Sequence, residues 1–477
     1  MLKQIVSGTI AILGVALFTD KSYAVSCQAE DAYGLLGVND DESGLSGYNG
    51  SGYINRRSFK EAGDYIEWKV NVASAGSYAI KFRYQAGGNK NLTFTINDVP
   101  QSTGSPDFVG VTSWTIANFG NYSLSQGENT IRLTVGPNGW VDMDEMQITG
   151  PSTPECIKPV RPSVSGQTVR DHMNNTLVWK GVNIGWFIDF QHDQQDAADL
   201  KNSGANFVRI VLPWYNDSWD TRSPGSPSNC YMTSSALSNL DGRISAFTNQ
   251  GLWVALAPRS SYGAGDGTFA AGNGGEGNFW TNPALREEYI SMYECLVERY
   301  KDTDYIAVWE GLSEPRVAAS QKVAVRTFYE EVFDRLEAVD PRGTPFMMGP
   351  ARFYDATQLT NEYHITDRTD VIYTVDHFAP HNYTHQTSGT VPLDLGVIST
   401  ASGYLNQALS FRSSNNVPLH INQFGAKLIA PLHATYDGLL LTLFDNNNLS
   451  WSYWQWRNGA FAAIDDPQVR NLLENNW

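Results

Sequence analysis

Basic residues are scarce in this chain. Asp and Glu number 50 against 33 Lys and Arg, a formal net charge of −17. Phosphate backbones are held by clustered cations, so this deficit argues against nucleic acid as a partner. It also disfavours strongly anionic polymers, less firmly, because a local basic cleft survives a global deficit. Long apolar runs are missing as well. A membrane-spanning helix needs about 20 consecutive apolar residues, and no stretch here supplies them, so no membrane partner is expected. The nearest candidate, Ile5 to Phe18, is shorter and carries Ser7, Gly8 and Thr9. With Lys3 before it and Ser22-Tyr23-Ala24 after it, residues 1–24 read as a cleaved signal peptide. That predicts a secreted or extracellular protein, periplasmic or outer-surface sites included. Ala24-Val25-Ser26-Cys27 lacks the leucine usual at a lipid-attachment site. Charged residues make up only 17% against 42% hydrophobic, a globular balance that argues against extended disorder.

What is present divides into two textures. Residues 28–149 hold short runs with strand alternation, among them Tyr65 to Val72, Tyr78 to Tyr84, Asn91 to Asn97, Asn129 to Val135 and Val141 to Ile148. Many short strands between Gly- and Asn-rich turns predict an antiparallel β-sandwich (jelly roll) over 25–150. Gly150-Pro151-Ser152-Thr153-Pro154, followed by Pro159, Pro162 and Ser163, predicts a linker over 151–172. From 173 to 477 short apolar runs alternate with helical stretches. The runs start at Leu177, Phe207, Trp253, Ile306, Phe346, Val371, Leu419 and Leu449, and Leu285–Lys301 and Val323–Val339 are amphipathic. Eight strand–helix repeats over about 300 residues is the count of a (β/α)8 TIM barrel. The fold class is therefore multidomain, a sandwich plus an α/β barrel, and a monomer is expected. Only four cysteines occur. Cys27 and Cys156 bracket the first domain while Cys230 and Cys295 both lie in the second, so the domain layout predicts the pairs 27–156 and 230–295.

In a TIM barrel the chemistry sits where the strands end at the carboxyl face. Trp309-Glu310-Gly311-Leu312-Ser313-Glu314-Pro315 closes the fourth strand and puts a carboxylate directly before a proline. This stretch resembles the Trp-Glu-x-x-Asn-Glu-Pro motif of the family 5 glycoside hydrolases, in which the second Glu is the general acid/base. Other segments match in order. Gly181-Val182-Asn183 resembles the first strand and Asn206-Phe207-Val208-Arg209-Ile210 the second, whose Arg supports the site. His377-Phe378 and Pro380-His381-Asn382-Tyr383-Thr384-His385-Gln386 resemble the sixth strand and its loop. Trp451-Ser452-Tyr453-Trp454-Gln455-Trp456 resembles the eighth, whose Trp floors the sugar next to the scissile bond. The resemblance implies retaining hydrolysis of a neutral β-linked polysaccharide of the cellulose/β-glucan, mannan or xylan class. Glu314 would be the proton donor, with Arg209, Ser313, His377, His381, Tyr383 and Trp454 binding substrate and no catalytic cofactor. The surplus of aromatics, 14 Trp, 23 Tyr and 21 Phe, suits a protein that stacks rings on sugars.

The family's nucleophile is the Glu of a Glu-Phe-Gly motif on the seventh strand, and here the stretch is Asn422-Gln423-Phe424-Gly425. An amide is a very poor nucleophile toward an anomeric carbon, so double displacement should fail at Gln423. Engineering would change one position in an otherwise intact site. Ser313 stands where Asn is usual, Ala379 where a Tyr is expected, and Ala257-Pro258-Arg259 lacks the third-strand His, so natural divergence is the better reading. Divergence leaves three outcomes: a glycan binder without turnover; an inverting scheme using Asp189, Glu310 or Asp376 as base; or Asn422-Gln423 orienting an acetamido group for substrate-assisted attack.

The first domain resembles carbohydrate-binding modules of families 6 and 35 through Gln28-Ala29-Glu30, Gly52-Tyr53, Gly63-Asp64-Tyr65, Gly76-Ser77-Tyr78 and Gly139 to Asp144. The resemblance implies a glycan site at Trp140, Asp142 and Tyr53, with Trp140 as platform. It also implies a structural Ca2+ on Glu30 and Asp144, since the ion prefers hard oxygen ligands.

Overall fold

The computed structural model describes residues 22–36, 41–42, 44–50, 52–57, 59–102, 108–137, 139–185, 190–213, 230–259, 279–280, 282–315, 317, 319–340 and 342–477. The chain divides into one unit up to Ile157 and a second from Lys158.

In the first unit, alternation decides which side of each strand is buried. Along Tyr65–Val72, Ile66, Trp68, Val70 and Val72 point into a common core; along Gly76–Ala86, Tyr78, Ile80, Phe82 and Tyr84 do the same from the other side. Two antiparallel sheets result. Asp142–Gly150 pairs with Gly76–Ala86, which pairs with Val111–Leu124; Tyr65–Val72 pairs with Gly127–Val135, which pairs with Leu92–Ile96. Tyr23–Gln28 runs antiparallel beside Asp142–Gly150 and carries Cys27; Pro154–Ile157 runs beside Tyr65–Val72 in the other sheet and carries Cys156. The disulfide between them forms as expected, and Cys230–Cys295 forms in the second unit.

The second unit is a closed parallel barrel of Lys180–Ile184, Phe207–Pro213, Trp253–Arg259, Ile306–Glu310, Phe346–Met348, Val371–His377, Leu419–Phe424 and Ser450–Tyr453. Helices such as Pro283–Tyr300 and Lys322–Val339 cover it. The latter turns Val325, Phe328, Tyr329, Val332, Phe333 and Leu336 inward, the spacing of one helical face. The stretch expected as a linker holds regular structure. Beyond Pro154–Ile157, the strands Ser163–Ser165, Thr168–Arg170 and Thr176–Leu177 make a small sheet. Its Val169 joins Trp179, Phe207, Trp253, Val308 and Met347 in an apolar cluster of residues from the barrel strands and the turn before them. The turns of this sheet fall at Gly166-Gln167 and His172-Met173 instead of at the prolines. Among the described residues no helix is long and apolar enough to cross a membrane.

Candidate active site

The middle of the barrel is polar. Arg209, fully buried on the second strand, grips Glu310 at the end of the fourth: Nε reaches Oε2 at 2.6 Å and Nη2 reaches Oε1 at 2.7 Å. Arg209 Nη1 also donates to Asn183 Oδ1 at 2.9 Å and Nη2 to Ser313 Oγ at 2.6 Å. Asn422 Nδ2 and the Tyr354 hydroxyl reach Glu310 Oε1 at 3.2 and 2.9 Å. Burial works against the guanidinium cation, and the Glu310 carboxylate outweighs it, holding Arg209 above its ordinary range. Glu310 is fully buried, with three donors on Oε1 and Arg209 Nε on Oε2. Buried against Arg209, it acts as a strut of the barrel. Arg209 and Ser313, expected to touch substrate, are buried in the same lattice, Ser313 accepting from Arg209.

Above this lattice lies a cavity of about 590 Å³, lined by Glu314, Arg352, Phe353, Asp355, Asp376, Phe378, Ala379, His381, His385, Tyr404, Gln423 and Trp454. Glu314 holds its place with φ of 51°, a left-handed conformation that non-glycine residues rarely adopt. Gln423 Nε2 donates to Glu314 Oε1 at 2.8 Å. Asp376, on the sixth strand and in register with Gln423 of the seventh, also hydrogen-bonds Glu314. Burial first, then the charge of Glu314, push the Asp376 carboxyl well above the usual carboxylate range. Two acids in contact cannot both ionise cheaply, so the pair holds a proton.

That proton makes stability pH-dependent. A carboxyl raised in the folded state stabilises fully below its unfolded pKa of about 3.9 and loses that contribution as pH climbs toward the folded value. Asp376→Asn keeps the shape and cannot ionise. We expect it to raise the melting temperature at pH 7 by clearly more than at pH 4. An equal difference at the two pH values would show that Asp376 is not held protonated.

Two expected substrate ligands fall elsewhere. His377 is fully buried and points out of the barrel, its Nε2 3.0 Å from Ala401 O and its ring packed on Tyr404 and Phe444. Burial lowers its pKa to about 4. Strand alternation explains the correction: Asp376 and Phe378 are the inward neighbours, so the sequence register is shifted by one. Tyr383 is buried against Tyr436 with its hydroxyl on Pro431 O at 2.6 Å. His381 does line the cavity, stacked on His385 with ring centroids 4.0 Å apart, and so does Trp454. Asp189 lies outside the described residues. The sequence reading missed Arg352, Phe353, Asp355 and Tyr404, which come from loops and helices with no recognisable motif.

In the first unit, Trp140 is 41% exposed, with the Lys90 ammonium 3.8 Å from its ring centroid. Asp142 is buried instead, accepting from the Arg56 backbone N–H at 2.8 Å with the Arg56 side chain at 3.3 Å. Tyr53 is buried too, edge-on to Trp114 at 5.2 Å. Neither meets solvent, so neither forms a glycan-facing surface. Of the expected cation pair, Glu30 Oε1 accepts from Gly52 N–H at 3.1 Å. Glu30 Oε1 and Gln28 Oε1 both come within 2.5 Å of where a Cβ on Gly50 would sit, so two oxygens converge there. Asp144 is already neutralised by Arg83 and accepts from Asn49 N–H. A carboxylate paired to an arginine does not fit a shared Ca2+ with Glu30. Among the described residues no cluster of three or more His, Cys, Asp or Glu is placed to hold a metal.

Comparison with known proteins follows this division. Residues 29–150 match the carbohydrate-binding module family 35 model, and residues 169–460 match the cellulase model, glycosyl hydrolase family 5. Mannan endo-1,4-beta-mannosidase B of Piromyces is 32% identical over 151 residues, 31% of this chain and 25% of that protein. Endoglucanase 3 of Fibrobacter succinogenes is 23% identical over 211 residues, 35% of this chain and 32% of its own length. The chain thus spans a third or less of these two relatives. The solved endoglucanase Cel5A of Thermotoga maritima superposes with a TM-score of 0.51 at 17% identity, covering 63% of this chain and 97% of that one, a likeness of fold. Since the barrel match covers more than half of its residues, the chain belongs to glycosyl hydrolase family 5, with a family 35 carbohydrate-binding module ahead of the barrel.

Proposed function

We propose that this is a secreted family 5 protein acting on a neutral β-linked polysaccharide, with Glu314 as its proton donor and Gln423 as a sugar-holding amide. The observation that carries this reading is the cavity where Glu314, Asp376, Gln423 and Trp454 converge. The acid pair keeps a proton beside the space a glycosidic oxygen would enter, and Trp454 supplies an apolar floor. The names of the relatives, a mannanase, an endoglucanase and a beta-xylosidase, support the substrate class. Two disulfides support an oxidising compartment outside the cytoplasm. The signal peptide belongs to the same proposal; cleavage after Ala24 would trim only Tyr23 and Ala24 from the strand that pairs with Asp142–Gly150.

One observation favours a second reading, a glycan binder without turnover. Retaining hydrolysis needs carboxyls about 5–5.5 Å apart and inverting hydrolysis about 6.5–9.5 Å, whereas Asp376 is in hydrogen-bond contact with Glu314. The contact pair cannot straddle a glycosidic bond as it stands. Reducing-end release from β-glucan, mannan and xylan decides between them. If the first reading holds, one of these is cleaved and Glu314→Gln lowers that rate by about 10² or more. Equal rates in parent and variant would remove Glu314 from the mechanism. Retention on a glycan gel without any release would establish the binder.

A further inference from the structure

The barrel unit has a second cavity, at the end opposite the cleft. It measures about 360 Å³ and is walled by the small sheet over 163–177 and by the starts of barrel strands. Trp179 stands just before the first strand, His420 is the second residue of the seventh, and Ser450 is the first of the eighth. Small-molecule sites run from about 300 to 1,000 Å³, so the space suits one compact ligand. The amino end of this fold ordinarily serves stability. A polar cavity of this size there belongs to neither the cleft nor the core.

Three of its lining residues carry polar groups that nothing in the chain satisfies. Arg412, half-buried on the helix Asn406–Asn415, donates from Nη1 to Asn447 O at 2.7 Å and leaves Nε buried without a partner. Among the described residues that line the cavity there is no Asp or Glu. Burial alone therefore acts on this guanidinium and pushes its pKa below the ordinary range. In a chain of net charge −17, that is a cation left without its counter-charge. Trp179 and His420 are fully buried, and Nε1 of the one and Nε2 of the other have no partner. Buried polar groups are seldom left so, because an unmade hydrogen bond is costly. His420 Nδ1 lies 3.5 Å from Thr374 Oγ1, whose own proton goes to His420 O at 3.0 Å. That assigns the ring hydrogen to Nδ1 and makes Nε2 an acceptor. Burial first, then the Arg209 charge, lower the His420 pKa to about 3, so the ring is neutral. Together the three residues offer one positive charge, one N–H donor and one acceptor.

We propose that this cavity binds a hydroxylated monocarboxylate of monosaccharide size, its carboxylate on Arg412 and its hydroxyls on Trp179 Nε1 and His420 Nε2. A hydroxyl suits both nitrogens, since it accepts from the indole and donates to the imidazole. The guanidinium edge that carries Nε matches a planar carboxylate. One guanidinium balances one negative charge. A dianion such as sulfate would hold an uncompensated charge away from water. Gln167 at the sheet and Asn448 at the exposed rim add amides for further hydroxyls. The site is independent of how the cleft at the carboxyl end works.

Hydrogen–deuterium exchange on the full chain reads this end of the barrel apart from the cleft and the module. Sodium D-gluconate should protect the segments 163–179 and 412–420, and titrating that protection gives a local Kd. D-Glucitol, which carries an alcohol in place of the carboxylate, should bind at least about tenfold more weakly, the worth of a charge-assisted hydrogen bond. Sulfate at matched ionic strength should protect neither segment. Arg412→Gln should weaken gluconate binding by about tenfold or more. Arg412 also holds Asn447 O, so a second variant guards against a merely structural loss. Trp179→Phe keeps an aromatic ring against Phe207 and removes the N–H, and should weaken binding about three- to tenfold. The proposal is overturned if gluconate protects neither segment, or if glucitol or sulfate protects them as well as gluconate does. An unchanged Kd in Arg412→Gln or in Trp179→Phe overturns it too.

Discussion

Gln423→Glu is expected to recover little hydrolysis by itself, and Gln423→Glu combined with Asp376→Asn to exceed it by at least about tenfold. The reason is charge crowding. In the parent, Gln423 Nε2 donates to Glu314 Oε1 at 2.8 Å and Asp376 hydrogen-bonds the same carboxyl. A carboxylate at 423 would be the third acid in one contact cluster. Two unit charges at that separation repel by about 4 kcal/mol or more at an effective dielectric near 20, so the new group takes up a proton and is no nucleophile at neutral pH. It also pushes away from Glu314, and about 1 Å of misplacement can cost a hundredfold. Replacing Asp376 by Asn removes one acid and returns an amide donor to Glu314, leaving two carboxyls to divide acid and nucleophile between them. Initial rates of reducing-end release, with the anomeric product followed by NMR, are the measurement. Strong retaining activity from Gln423→Glu alone would mean that Asp376 does not compete, and would make position 423 the single determinant of turnover.

Arg209→Met carries the largest expected loss of stability. Arg209 and Glu310 are both fully buried, and the guanidinium also satisfies Asn183 and Ser313. Removing the cation strands a carboxylate inside the barrel, which costs about 3–5 kcal/mol in comparable pairs, whereas replacing both partners by apolar residues is often near neutral. Urea unfolding should therefore show Arg209→Met much less stable than the parent, with Arg209→Met/Glu310→Leu regaining a good part of the loss. A cost below about 1 kcal/mol for Arg209→Met, at the level of an exposed pair, would show that water reaches Glu310. The experiment also separates strut from site: the double variant keeps Glu314, Asp376 and Gln423 untouched.

The barrel was legible because each of its strands is a short apolar run between turn residues. Phe346–Met348 stands as read, and Lys322–Val339 differs from the expected helix by one residue. Glu314 was legible because a proline fixes the chain beyond it, and Gln423 because Phe424-Gly425 brackets it. Side-chain direction was less so. His377 and Asp376 are adjacent in sequence and face opposite ways, so a shift of one residue exchanged a core histidine for a cleft acid. Tyr53 and Asp142 illustrate the same limit in the sandwich, where a Tyr and an Asp suited to binding sugar are used to pack Trp114 and hold Arg56. Phe353 had no sequence signal at all. It lines the cavity from a left-handed turn that no glycine announces, with the Tyr354 hydroxyl on Glu310 of the neighbouring fourth strand.

The Cys27–Cys156 bond has a mechanical consequence. Tyr23–Gln28 belongs to one sheet of the module and Pro154–Ile157 to the other, so the bond links the module's first and last strands across the sandwich. A domain anchored to an immobile polymer is pulled through its exit strand. Without the cross-link, Pro154–Ile157 would peel from Tyr65–Val72 one hydrogen bond at a time, as the outermost strand of its sheet. With it, tension arriving at Ile157 passes at Cys156 into the opposite sheet and is borne in shear by the ladder from Val25 to Gln28 that remains after cleavage. The module grips under load as a closed clasp instead of unzipping from its end.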